Sequence, residues 1–220
     1  MRWGATIAIA ALTALALAAN AQTPPPSRVA PGDFDFYVFT LSWSPGLCDT
    51  GGAASSPEQC AIGSGQGFVV HGLWPDNRYA DDPVDCGPTS ASSEALRMAA
   101  SVYPSEGLAR YEYAKHGTCT GYAPESYFQA AKHLREQIVT PNALRTPRAA
   151  LRLSPEEIES AFMASNVNLH ADNMAVTCSG GELIDLRFCI SKNLKAYAVC
   201  PPKVFERSCR ALQLTIAPLR

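Results

Sequence analysis

FDFYVFTLSW, residues Phe34 to Trp43, decides how the rest of the chain is read. Aromatic and β-branched side chains dominate it, and it is long enough for a central strand around which a sheet is built. Ser44-Pro45-Gly46 is expected to end that strand. Gly51 to Gly67 is rich in Gly and Ser and reads as a loop. Phe68-Val69-Val70-His71 then resumes a strand with His71 at its end, and Pro75-Asp76-Asn77 supplies closing turn residues.

From Ser92 the pattern turns helical, with candidate helices at Glu94 to Val102, Gly107 to His116 and Pro124 to Ile138. A fourth starts at Ser154-Pro155-Glu156-Glu157, where a Ser cap, Pro in the first helical position and Glu three residues after the cap coincide, and runs to about Ser165. Strands return at Met174 to Cys178, at Glu182 to Ile190 and near Ala196 to Cys200, with Ser179-Gly180-Gly181 as a hairpin turn. Strands at both ends and helices between them predict an α+β fold: a largely antiparallel central sheet with helices packed around it.

At the start of the chain, Arg2 precedes an apolar run from Trp3 to Ala18, and Ala19-Asn20-Ala21 offers a small-x-small cleavage site. Residues 1–21 therefore read as a removed export signal, the run being short of the roughly 20 residues of a membrane span. An uncleaved anchor is the alternative. Residues 22–33 form a Pro-rich stub, and residues 34–220 suffice for a single domain. All eight cysteines follow the cleavage point, which in an exported chain implies four disulfides. A zinc site needs closer pairs than any here, the narrowest gap being Cys200 to Cys209. Loss of Arg2 leaves 17 basic and 20 acidic residues, a net of −3, so attraction to a polyanion must come from a local cluster.

Two histidines stand in distinctive surroundings, His71 in HGLWPDN (71–77) and His116 in YEYAKHGTC (111–119). Imidazole has an unperturbed pKa of about 6.5, so of two copies one can take a proton while the other gives one. On a helix, Glu112, Lys115 and His116 fall at i, i+3 and i+4 on neighbouring positions of one face, an arrangement that suits a phosphate becoming more negative. Read blandly, the same three residues are a solvated face with an ordinary ion pair, His71 is a hydrogen-bonded core residue, and Trp74 and Tyr79 are packing. Strand alternation places His71 on the face of Val69.

At these two boxes the chain resembles the ribonuclease T(2) family of secreted RNases. LSWSPGLC (41–48) is similar to that family's first core strand, and CSGGELIDLRFCISKNL (178–194) to its C-terminal strands. The resemblance reaches from about Phe34 to Cys209. It implies metal-independent cleavage of single-stranded RNA to 2′,3′-cyclic phosphates and then 3′-phosphates, with little base specificity and no cofactor. His116 would be the base, His71 the acid, and Glu112 and Lys115 would stabilise the transition state. Trp74, Asp76, Tyr79 and Tyr111 would contact substrate, Trp74 by stacking and Asp76 at a base edge. Cys48–Cys60, Cys86–Cys119, Cys178–Cys209 and Cys189–Cys200 are the implied disulfides out of 105 possible pairings. A monomer is implied, exported to periplasm or medium, with no membrane insertion after signal removal and no action on DNA, which lacks the 2′-hydroxyl.

Tyr111 and Tyr113 depart from the family pattern, which commonly has histidine and tryptophan there. A tyrosine hydroxyl donates a hydrogen bond but carries no positive charge. Tyr111 thus supports a rival reading, a secreted RNA-binding or inhibitory protein of this fold without turnover. A metal-dependent phosphodiesterase lacks a dense set of ligands in the sequence. His133 and His170 match no box and read as structural or surface residues.

Overall fold

Strand β1, Phe36–Trp43, is buried along its whole length, because it has a strand on each side and side chains packed on both faces. The computed structural model describes residue 1 and residues 29–220. Apart from Met1, the segment read as an export signal lies outside the described residues, as do residues 22–28 of the stub. After β1 come α1 (Ser44–Asp49), α2 (Pro57–Cys60) and β2 (Phe68–Asp76). The helical middle holds α3 (Ser93–Ala99), α4 (Glu106–Lys115), α5 (Pro124–Gln137) and α6 (Asn142–Arg145). Short strand β3 (Leu151–Leu153) and α7 (Pro155–Ser165) lead to β4 (Met174–Ser179) and β5 (Glu182–Ser191), followed by α8 (Pro202–Phe205) and β6 (Leu214–Ile216).

The sheet runs β2-β1-β5-β6-β3, with β4 also on β5, and every pairing is antiparallel except that of β5 with β6. This is the α+β architecture expected. One sheet face carries Tyr37, Phe39, Leu41, Phe188 and their neighbours against Tyr127, Phe128 and Leu134 of α5 and Ile158 and Phe162 of α7. The opposite face carries a smaller cluster: Phe36, Val38, Ala175, Val204 and the half-cystines Cys189 and Cys200. The α7 cap forms as its sequence predicts, with Ser154 and Glu157 exchanging hydrogen bonds to each other's backbone N–H. Gly180 and Gly181, both at positive φ, make the β4–β5 turn.

Several expectations are corrected. Ser44-Pro45-Gly46 ends β1 but also opens α1, Pro being at home in a first helical turn. The Gly51 to Gly67 loop contains α2 and a 3₁₀ turn, Gly52–Ala54. Strand β2 does not stop at His71 but continues through the box to Asp76, paired all the way with β1. Ala196 to Cys200 is no strand: one bridge, Tyr197 to Ile190, is formed, and the Cys189–Cys200 disulfide together with Pro201 and Pro202 turns the chain away. The short strands β3 and β6 were not expected.

The pairing of the strands hides a one-residue irregularity in the box. Thr40 pairs with Gly72 and Leu41 with Val70, so His71 is an extra residue between two consecutive pairs, a β-bulge. Alternation changes phase there. Phe68, Val70 and Leu73 all reach the large core, while His71 and Trp74, three apart, share the other face.

Four disulfides, with the pairing that the resemblance implies, join Cys48–Cys60, Cys86–Cys119, Cys178–Cys209 and Cys189–Cys200. Among the described residues no helix is long and apolar enough to cross a membrane.

Phe162 is fully buried and meets the rings of Phe68 and Phe188 at 5.7 and 5.9 Å. Phe162→Ala is expected to cost about 3–5 kcal/mol by denaturant titration. A loss below about 1 kcal/mol would mean this helix does not seal the core as described.

Candidate active site

Three elements build the site on the sheet face opposite the large core. Strand β2 brings His71, Trp74 and Asp76; α4 brings Glu112 and, at its C-terminal cap, His116; β5 brings Asp185 and Arg187. Helix α4 starts at Ser105, whose hydroxyl accepts from the Leu108 N–H, and its last turn is pinned from outside. Asp85 N–H donates to the Lys115 carbonyl at 2.8 Å, Cys86 N–H donates to Thr118 Oγ1 at 3.1 Å, and the Cys86–Cys119 disulfide ties the same loop to the turn after His116.

Trp74 is the hub. Its ring lies 5.2 Å from that of His71 and 5.5 Å from that of His116, so both imidazoles flank one indole. Trp74 Nε1 donates to Glu112 Oε2 at 2.6 Å. The approach depends on Gly72: a Cβ there would sit 2.1 Å from Trp74 Nε1 and 2.3 Å from Glu112 Oε2. Glu112 Oε1 lies 3.9 Å from His71 Nε2, and the carboxylate keeps only 2% of its side chain exposed against 35% for His71. The imidazole is therefore reachable from solvent and its carboxylate neighbour is not.

On its other nitrogen, His71 Nδ1 stands 3.4 Å from Asp185 Oδ1 and 3.2 Å from Ser42 Oγ, while Ser42 donates to the same Asp185 oxygen at 2.5 Å. Ser42, Asp185 and Thr177 lie on one row of cross-strand pairs, so β1, β5 and β4 together fix the carboxylate. Neither Ser42 nor Asp185 was expected at the site.

The two imidazoles are driven apart electrostatically. Burial alone lowers His71, but the hydrogen bond and charge of Asp185, helped by Glu112, prevail and hold it above 6.5. His116 is placed differently: burial, then the charges of Lys115 and His71, lower it to about 4, and among the described residues its buried Nδ1 has no hydrogen-bond partner. Burial raises Glu112 to about 7 against the pull of His71 and Trp74. Near pH 5 this arrangement holds a protonated His71, a neutral His116 and a protonated Glu112 side by side, which means a proton donor and a proton acceptor about one indole.

The remaining expected residues are placed differently. Lys115 is on α4, but its ammonium is paired with Asp85 at 2.8 Å. Asp76 is buried and bound to Lys203 at 2.5 Å, and Lys203 also pairs with Asp82. Tyr79, 97% exposed, and Tyr111, 59% exposed, do not line the adjoining cavity. That cavity, about 450 Å³, is bordered by Trp74, Asp76, His116, Arg187, Lys203 and Arg207 among others. Tyr113 is a core residue packed on Tyr127 and Phe128. His133 and His170 are exposed. Among the described residues no group of three or more His, Cys, Asp or Glu is arranged to hold a metal.

Comparison with known proteins bears on the whole fold. The profile of the Ribonuclease T2 family matches residues 34–200. A ribonuclease of Aeromonas hydrophila is 36% identical over 129 residues, 56% of this chain and 55% of that protein, so the match spans about half of that relative. Ribonuclease DdI of Dictyostelium discoideum is 27% identical over 78% of this chain and 80% of its own length, and Ribonuclease I of Escherichia coli K12 is 28% identical over 78% and 79%. Among solved structures, RNase NT in complex with 5′-AMP superposes with a TM-score of 0.66 at 22% identity, covering 85% of this chain and all of that one. At that identity the likeness speaks for the fold.

The opposed shifts are measurable by NMR titration of the ring protons. His71 is expected to titrate above 6.5 and His116 near 4. Asp185→Asn should bring the His71 midpoint down and leave His116 close to its own. Two superimposable titrations in the wild type would contradict the geometry described.

Proposed function

The chain belongs to the ribonuclease T2 family, and from that premise we propose that it is an exported endoribonuclease that cuts single-stranded RNA by transphosphorylation, using its own side chains as acid and base. The observation that carries this reading is the pair of imidazoles around Trp74, one raised and one lowered in pKa, beside a buried carboxyl.

His116, neutral above about pH 4, takes the proton of the 2′-hydroxyl as that oxygen bonds to phosphorus. His71, held protonated by Asp185, gives its proton to the departing 5′-oxygen as the phosphorus–oxygen bond breaks. The nucleophile belongs to the substrate and is already adjacent to phosphorus, so the protein mainly aligns groups and moves protons. The buried Glu112 acts on the transition state through Trp74 and His71, whose ring nitrogens it faces; Lys115, screened by Asp85, adds positive charge at the helix end. The product is a 2′,3′-cyclic phosphate, which water then opens to a 3′-phosphate with the two histidines exchanging roles.

Trp74 borders the cavity and offers a base a stacking surface, and a base edge entering there meets the Asp76–Lys203–Asp82 cluster. Exposed Tyr79 and Tyr111 lie off this cavity and serve strands longer than a dinucleotide. This reading takes residues 1–21 as the removed signal, 22–33 as a tether and 34–220 as a monomeric catalytic domain. Four disulfides suit an oxidising destination, periplasm or medium.

Purified protein is expected to cleave RNA to 2′,3′-cyclic ends with EDTA present and to leave DNA intact. His71→Ala and His116→Ala should each lower single-turnover rates by at least about a hundredfold while the fold persists. Loss of activity to chelator, or near-normal rates in either variant, would refute the mechanism. The pH profile follows from the shifts: kcat/KM rises through about 4 as His116 loses its proton and falls above 6.5 as His71 loses its own. A profile still climbing at pH 9 would contradict the assignment of His71 as acid.

A further inference from the structure

Lys115 is the cation that the helical box offers to a phosphate, yet its ammonium is committed to Asp85. Lys203, on the cavity wall, is likewise committed, to Asp76 and Asp82. Arg187 feels the charges of Asp185 and Asp76 but makes no direct ion pair among the described residues. It follows Asp185 on the same face of β5, and its cross-strand neighbours are Thr40 on β1 and Ala175 on β4, both small, so the long side chain has room to lie over the sheet. Its guanidinium carbon stands 5.6 Å from the centre of the Trp74 ring, and the residue borders the same cavity as His116.

Among the described residues, three polar atoms at this spot have no hydrogen-bond partner: Arg187 Nε, Thr40 Oγ1 and His116 Nδ1, each buried. A buried donor is costly to leave unpaired, and a guanidinium fork suits two oxygens of one tetrahedral anion. Arg207 lines the cavity as well, and the two like charges repel each other. An anion between them relieves that repulsion.

We propose that Arg187, backed by Arg207 at the rim, grips the scissile phosphate beside Trp74 and is a catalytic residue of this site, the main cation on the developing negative charge. This rests on the ribonuclease reading above. Asp76, Asp82 and Glu206 line the cavity too, with Lys203 paired to the first two, so the attraction for a polyanion is confined to the two guanidiniums.

The test uses the full-length oxidised protein and its Arg187→Gln, Arg187→Lys and Lys115→Gln variants, each checked for four intact disulfides. Single-turnover cleavage of a ribodinucleoside monophosphate should fall about a hundredfold in R187Q, recover in part in R187K and fall less in K115Q. Inorganic phosphate, followed through the ring-proton shifts of His71 and His116, should bind more weakly to R187Q than to wild type. This binding arm reports on Arg187 even if the wild type turns over no RNA, so failure of the ribonuclease reading and failure of this proposal are separable. A rate within about twofold of wild type in R187Q overturns the proposal. So does a rate loss with unchanged phosphate affinity, which would make Arg187 a prop for Trp74, and so does a larger loss in K115Q than in R187Q.

Discussion

A single extra residue in one strand governs the site. In an uninterrupted strand, residues three apart point to opposite faces, and His71 and Trp74 would be separated by the sheet. Because His71 bulges between the Leu41–Val70 and Thr40–Gly72 pairs, β2 sends Phe68, Val70 and Leu73 into one core and His71 and Trp74 onto the other face. Burial makes this register costly to change, since a slip would carry the apolar set out of the core along with the histidine. Packing on one face thereby holds the geometry of the other, and Gly72, next to the bulge, leaves the indole room to reach Glu112.

One buried carboxylate then gives two chemically identical imidazoles different states. Asp185 faces Nδ1 of His71 and stays ionised because His71 and Ser42 both bond to it, which outweighs the tendency of burial to protonate it. His116 sits with Lys115 beside it and without a buried carboxylate on its ring, so burial wins. The separation needs no difference in side-chain type, only a difference in neighbours. The sheet supplies one neighbour and the helix the other, and the disulfide beyond His116 fixes the helix end against the loop that carries Asp85.

What was legible in the sequence was what is local. The aromatic run of β1, the Ser154 cap, the glycine turn between β4 and β5 and the two histidine boxes all declare themselves over fewer than a dozen positions. The bulge does not, because HGLWPD reads equally well as a strand end followed by a turn. Asp185 lies 114 residues from His71 and looks like one polar position in an alternating strand; only the pairing of β5 with β1 brings them together. Spacing on α4 puts Glu112, Lys115 and His116 on neighbouring positions, but does not show that Asp85, held at positive φ in a distant loop, takes the lysine. Three-residue strands such as β3 and β6 carry too little pattern to be read at all.

The mechanism requires one phosphorus to sit between His71 and His116 at Trp74. A crystal structure with a nucleoside vanadate, whose five-coordinate centre imitates the transition state, tests it most directly. The two apical oxygens are expected within about 2.6–3.2 Å of one imidazole nitrogen each, from His71 on one side and His116 on the other. A vanadate bound elsewhere in the protein, or approached by only one of the two rings, would contradict the account.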